Sequence, residues 1–305
     1  MEYFSDQLKG PQLRDIDVIP SNVWGGIVAI INGLISSGAF GEYFPEICPD
    51  PNATGVFATD VHDFKSVLKA EVPDIEFPFI TEKVENGSWM PESKPFVPNY
   101  LAILDLIQFC HDHVAKPNQG FYHSYYKHHH LSFDIELGQE EFRSKINRIF
   151  ARNGISFELQ SNGNIVRLAP VVLAEALYSA RFQTQDQTLN VMLEDARTKF
   201  LNPDEEVRRE SLERLWDAWE RIKTVLTLKP NDKKESISKL LDKCADEPNF
   251  RELLESEAKT LTTVGNTFHI RHSEIGQIEI QRNIQVDYLF HRLFSMILLA
   301  IKSMA

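Results

Sequence analysis

The chain has 305 residues, long enough for two domains that each bury a core, and a formal net charge of −12. That balance excludes a protein that coats nucleic acid through its overall field. Any such contact needs a local basic patch on an acidic body. Apolar and charged fractions are those of a soluble globular protein. Cys48, Cys110 and Cys244 are far apart and odd in number, as in reduced cytosolic thiols rather than a disulfide framework. No charged-then-apolar leader opens the chain, and Leu293–Ile301 falls short of the roughly 20 residues that span a bilayer. A cytoplasmic protein without membrane contact is expected.

In chain order, Ser21 is expected to cap a helix whose Val23, Trp24, Ile27, Ile31 and Leu34 recur at helical spacing until Gly38. A loop with Cys48-Pro49-Asp50-Pro51 follows; one cysteine without a partner motif is poor evidence for a metal. Thr59 is expected to cap a shorter helix. Five prolines between Val72 and Pro98 predict an irregular excursion. Helical spacing returns over Tyr100–Val114. Six histidines then fall between His111 and His130, among Phe121, Tyr122, Tyr125 and Tyr126. They read as a locally bonded polar loop. The alternative is a metal site from Cys110, His111, His113, His123 and His128 to His130, although no familiar paired Cys/His spacing is present.

Glu140–Asn153 reads as a helix with Lys145, Arg148 and Arg152 on one face, followed by a hairpin turning at Ser161-Asn162-Gly163-Asn164 and ending near Arg167. A basic helix beside a hairpin can form a winged module on phosphate, so these four cations are candidate nucleic-acid contacts. Beyond Gln183 the chain reads as almost wholly helical. Helices are predicted over Leu189–Leu201, from Pro203 through Trp216 and Trp219, over Asp232–Ala245, from Pro248 to Val264, and over Val286–Lys302. No repeat, P-loop, dinucleotide fingerprint or nucleophile elbow is present.

The densest chemistry lies in Val264-Gly265-Asn266-Thr267-Phe268-His269-Ile270-Arg271-His272-Ser273-Glu274. Arginine supplies charge and geometry for phosphate; histidine supplies an acid or base near neutral pH. Asp287 and His291, four apart on the last helix, face the same way. Asn266, His269, Arg271, His272, Glu274 and His291 are therefore the candidate catalytic set. Metal-free RNA cleavage needs a base for the 2′-hydroxyl, an acid for the leaving oxygen and a cation for the phosphate. The competing reading is a rigid corner in which Arg271 and Glu274 pair and His272 caps carbonyls.

Particular stretches carry a resemblance. They are Met1–Pro11, Val23-Trp24-Gly25-Gly26, His128–Asp134, Phe142–Leu159, Lys199–Thr224, Gly265–Glu274 and Asp287–Phe294. Over most of its length the chain resembles abortive-infection proteins grouped with the AbiJ N-terminal domains, which implies bacterial anti-phage defence. Its C-terminal half is more distantly similar to HEPN domains, which implies a dimeric helical bundle with metal-independent ribonuclease activity. The HEPN signature separates an arginine from the histidine that follows it by four to six intervening residues. Here His272 follows Arg271 directly, and only these two carry over.

The expected fold is mainly α, with an N-terminal α+β domain over 1–182 and a C-terminal helical bundle over 183–305. The expected function is RNA cleavage or binding by a homodimer, with no cofactor. The alternative is a non-catalytic module that binds nucleic acid or protein and oligomerises through its bundle.

Overall fold

The computed structural model describes residues 12–85, 92–226, 233–268, 270 and 277–304. The chain forms two compact units, Met1–Leu168 and Ala169–Ala305. Among the described residues there are ten helices and four separate two-stranded antiparallel sheets, so the fold is mainly α.

In the first unit, α1 (Ser21–Ser36) turns Val23, Trp24, Ile27, Val28 and Ile31 into the core. Ser21 is the first helical residue rather than the cap, which falls on Pro20. Gly38, at φ 77°, ends the helix. β1 (Pro45–Ile47) pairs with β2 (Val56–Thr59), leading into α2 (Val61–Glu71). Asp60, not Thr59, caps α2, accepting from the backbone N–H groups of His62 and Asp63. Thr59 is spent inside, where its hydroxyl accepts from Phe40 N at 3.2 Å. Within the proline-rich stretch, β3 (Glu82–Glu85) and β4 (Glu92–Pro95) form one short ladder.

α3 (Tyr100–His113) buries Ile103, Leu106, Ile107 and Cys110. The histidine-rich region then departs from the expected loop. β5 (Lys116–His123) and β6 (His128–Asp134) form a hairpin, turning at Lys127 with φ 56°. Polar and aromatic side chains conceal it, because few apolar residues mark the period of two. α4 (Ile135–Arg152) starts five residues earlier than its pattern suggested, capped by Asp134, and buries Phe142, Ile146 and Phe150. β7 (Phe157–Leu159) and β8 (Ile165–Arg167) form the expected hairpin, with Gly163 at φ 85° in the turn. Ile16 adds a parallel bridge to Ile155 beside it.

The second unit is helical: α5 (Val171–Ser179), α6 (Gln187–Phe200), α7 (Glu205–Ile222), α8 (Lys233–Cys244), α9 (Pro248–Thr267) and α10 (Asn283–Met304). Leu173 and Leu177 of α5 belong to this unit's core. By length and composition α10 is long and apolar enough to cross a membrane. In this unit it is the central core helix. Phe290 stacks on Phe200 at 3.9 Å, and Leu293, Phe294, Ile297 and Ala300 are buried beside it.

Asp186 shows how the unit's surface is held. Its carboxylate caps α6 through the N–H groups of Thr188 and Leu189 and accepts from Arg221 of α7 at 2.7 and 2.9 Å. The Arg221 hydrogen bond, aided by the cap, holds its pKa below the ordinary carboxylate value. A depressed folded-state pKa contributes stability above the unfolded value of about 4, and loses it as pH falls through the folded value. Asp186→Ala is therefore expected to lower unfolding free energy by about 1–2 kcal/mol at neutral pH. The difference should shrink toward zero near pH 2, as read by urea melts at the two pH values.

Candidate functional site

The described part of the candidate catalytic set sits on α9 and α10. The chain leaves α9 at Thr267 and comes back beside it: Ile278 N donates to Thr267 O at 3.1 Å, and Phe268 bridges Ile278. The Gln277 amide also reaches Asn266 O at 3.4 Å. His269, Arg271, His272 and Glu274 lie outside the described residues. From this turn α10 runs back along α9, registered by the Arg292–Glu257 ion pair at 2.7 and 2.9 Å. Asn266 is nine residues beyond Glu257, and Asn283 nine before Arg292, so both mark the same end. His291 lies eight residues into α10, about 12 Å along its axis from that end. Asn266 and His291 are therefore separated by about two turns, whereas Asp287 and His291 share a face.

His291 is half-buried. Its Nε2 is buried without a hydrogen-bond partner. Burial pushes its pKa below the ordinary histidine value, with the Asp287 carboxylate opposing that shift. The imidazole is then neutral near pH 7 and has a lone pair to accept a proton. Ile284 and Tyr288 are exposed on the same helix.

The candidate nucleic-acid contacts divide. Arg148 and Arg152 are exposed on α4 and Lys145 is half-buried there. Arg167 is not on the surface. It is 3 % exposed, and its guanidinium pairs with Asp17 at 2.9 Å. The alternation that put Glu158 and Val166 outward turns Arg167 inward, onto the carboxylate supplied by the N-terminal segment.

The residues weighed as metal ligands also divide. Cys110 lies fully in the core, and burial raises its thiol pKa. His113 packs against Phe44 and Phe109 and hydrogen bonds Phe109 O at 2.8 Å. His111 is buried beside the Gly163 turn. None of these three adjoins His123 and His128–His130 on the β5–β6 hairpin closely enough to share an ion. All three cysteines are free thiols.

No curated protein and no solved structure matches the chain significantly. The family described as AbiJ N-terminal domain 4 matches residues 2–183, all of the first unit and α5 of the second. This chain belongs to the AbiJ N-terminal domain 4 family.

Proposed function

We propose that this is a cytoplasmic, abortive-infection-type defence protein whose helical unit cleaves or binds RNA through a HEPN-like site. In this reading Arg271 neutralises the phosphate, and His272 and His291 exchange protons with the 2′-hydroxyl and the leaving oxygen. Asn266, His269 and Glu274 orient Arg271 and His272. A homodimer through the helical unit brings two copies to one groove. The exposed Ile284 and Tyr288 on α10 favour such an association. The observation that carries the reading is His291: a histidine kept neutral, with a buried and unpartnered Nε2, on the helix that follows the Arg/His stretch.

The test is incubation of the purified chain with RNA in excess chelator, beside an Arg271→Ala, His272→Ala variant. Wild type should degrade the RNA, and the variant should be slower by about 100-fold or more. Equal survival of RNA with both proteins defeats the reading. If His291 acts as the base, the acid limb of the rate should have its midpoint below about 6.5. Asp287→Asn should move that limb lower still, because the lost carboxylate favoured the protonated ring.

A second reading rests on the cations of α4, of which Arg148 and Arg152 are exposed: a binding module without catalysis. It predicts that Lys145→Glu, Arg148→Glu, Arg152→Glu abolishes nucleic-acid binding while Arg271→Ala, His272→Ala preserves it.

A further inference from the structure

The β5–β6 hairpin and the β1–β2 pair bring together residues that lie some eighty positions apart in the chain. β2 packs on β6, and alternation along β6 points His128 and His130 to one side. Cys48 follows β1 directly, is 4 % exposed, and its N–H donates to Gly55 O at 2.8 Å, closing the intervening loop. The Cys48 sulfur and one ring nitrogen each from His128 and His130 lie within 4.8 Å of one another.

The surroundings are built around these rings. Phe57 stacks on the His128 ring at 4.2 Å. A Cβ at Gly55 would come within 2.6 Å of His130 Nδ1, so the imidazole occupies the space that a side chain there would take. The Nε2 atoms of His128 and His130 are both buried and make no hydrogen bond. Two orphaned imidazole nitrogens beside a buried thiol are costly unless something bonds them.

A third imidazole lies beside the cluster. The His123 ring centroid lies 5.8 Å from that of His128 and 6.0 Å from that of His130. Its Nε2 hydrogen bonds Asp50 Oδ2 at 2.8 Å, while Nδ1 has only a long 3.4 Å contact from Tyr126 N. A histidine that ligates through one nitrogen commonly donates from the other to a carboxylate, and Asp50 supplies one.

We propose that this pocket binds one zinc-class divalent cation through the Cys48 sulfur and ring nitrogens of His128 and His130. His123, oriented by Asp50, is the fourth donor. The donor set of one thiolate and three imidazoles suits a borderline-soft tetrahedral ion. Bond lengths of about 2.0–2.3 Å put tetrahedral donors about 3.5 Å apart, so the Cys48, His128 and His130 donors, now within 4.8 Å, draw in by roughly an ångström on filling, and the His123 ring swings in from outside that group. On binding, the thiol gives its proton to solvent and the sulfur bonds the ion; nothing is oxidised or reduced. With four protein ligands the site is structural. It staples the loop after β1 to the hairpin without joining the RNA chemistry proposed for the other unit.

The experiment uses the full chain, purified without a metal-affinity tag. Elemental analysis should give one zinc per chain, and cobalt(II) added to the stripped protein should produce a thiolate charge-transfer band with tetrahedral visible bands. Cys48→Ser should lose the charge-transfer band. The double variant His128→Ala, His130→Ala should bind no cobalt, and Asp50→Asn should weaken binding by about 10–100-fold. Because variants can misfold, wild type is also titrated with zinc against a chromophoric chelator, and melted with and without chelator. No zinc, no competition and an unmoved melt in wild type overturn the proposal. So does a charge-transfer band that survives in Cys48→Ser.

Discussion

Asp17→Ala is expected to cost the first unit about 3–5 kcal/mol, because it takes away the carboxylate that pairs with the buried Arg167 guanidinium. Arg167 is 3 % exposed, and the Asp17 side chain is 12 % exposed. The carboxylate accepts Arg167 Nε at 2.9 Å and Nη2 at 3.3 Å, and also the Ser156 hydroxyl. The pair joins residues 150 positions apart, locking the segment before α1 onto the β7–β8 hairpin. Backbone bonds reinforce it: Ile16 N donates to Gly154 O, and Ser156 N to Ile16 O, both at 2.9 Å. Removing both charges should be far milder than removing one. Asp17→Ala combined with Arg167→Met is expected to recover most of the loss, since an apolar replacement removes the buried charge together with its carboxylate. Urea melts of the single and double variants measure the difference. A single variant within about 1 kcal/mol of wild type would show the pair to be solvated.

In the second unit Trp216→Ala should cost about 3–5 kcal/mol. Trp216 is 1 % exposed, and its Nε1–H donates to Leu261 O of α9 at 3.1 Å, tying α7 to α9. Gly265, one turn farther along α9, makes the fit possible: a Cβ there would lie 2.3 Å from Trp216 Cδ1. Gly265→Ala gains helix propensity of at most about 1 kcal/mol but overpacks the indole, and a net loss of roughly 1–2 kcal/mol is expected. The two changes should be strongly non-additive, because the alanine methyl group fits once the indole is gone. Additive losses in the cycle would mean that the two residues do not share this space.

That same glycine illustrates how far the sequence could be read. Within the polar stretch that begins at Val264, Gly265 serves packing, while Asn266 accepts the returning chain through its carbonyl. The helices were legible because periodic apolar residues such as Val23, Ile27 and Ile31, or Leu212, Trp216 and Trp219, state their own buried face. Local caps were less so. Thr59 and Asp60 are both cap formers, and only the fold decides that Thr59 is needed by Phe40. The hairpin at Gly163 announced itself through turn chemistry, whereas the one through His123 and His128 did not.

Arg167 misled because a guanidinium in a hairpin is usually solvated, and its carboxylate partner enters from Asp17, a distance no local window covers. Cys48 was passed over for the same reason. Its would-be co-ligands stand on β6, brought near by the packing of β2 on β6. The alternation of His128 and His130 was the one local sign available, and without the thiol it pointed nowhere. On α10, the four-residue spacing of Asp287 and His291 was enough to place them on one face. It was not enough to bring His291 to the level of Asn266, which depends on the register set by Arg292 and Glu257.

The central claim is that the helical unit acts on RNA without a metal, and the ends of the product RNA test it most directly. Cleavage driven by the 2′-hydroxyl leaves 2′,3′-cyclic phosphate and 5′-hydroxyl ends, and these should form in excess chelator with wild type but not with Arg271→Ala, His272→Ala. Intact RNA from wild type, or fragments carrying 3′-hydroxyl ends, would contradict the account.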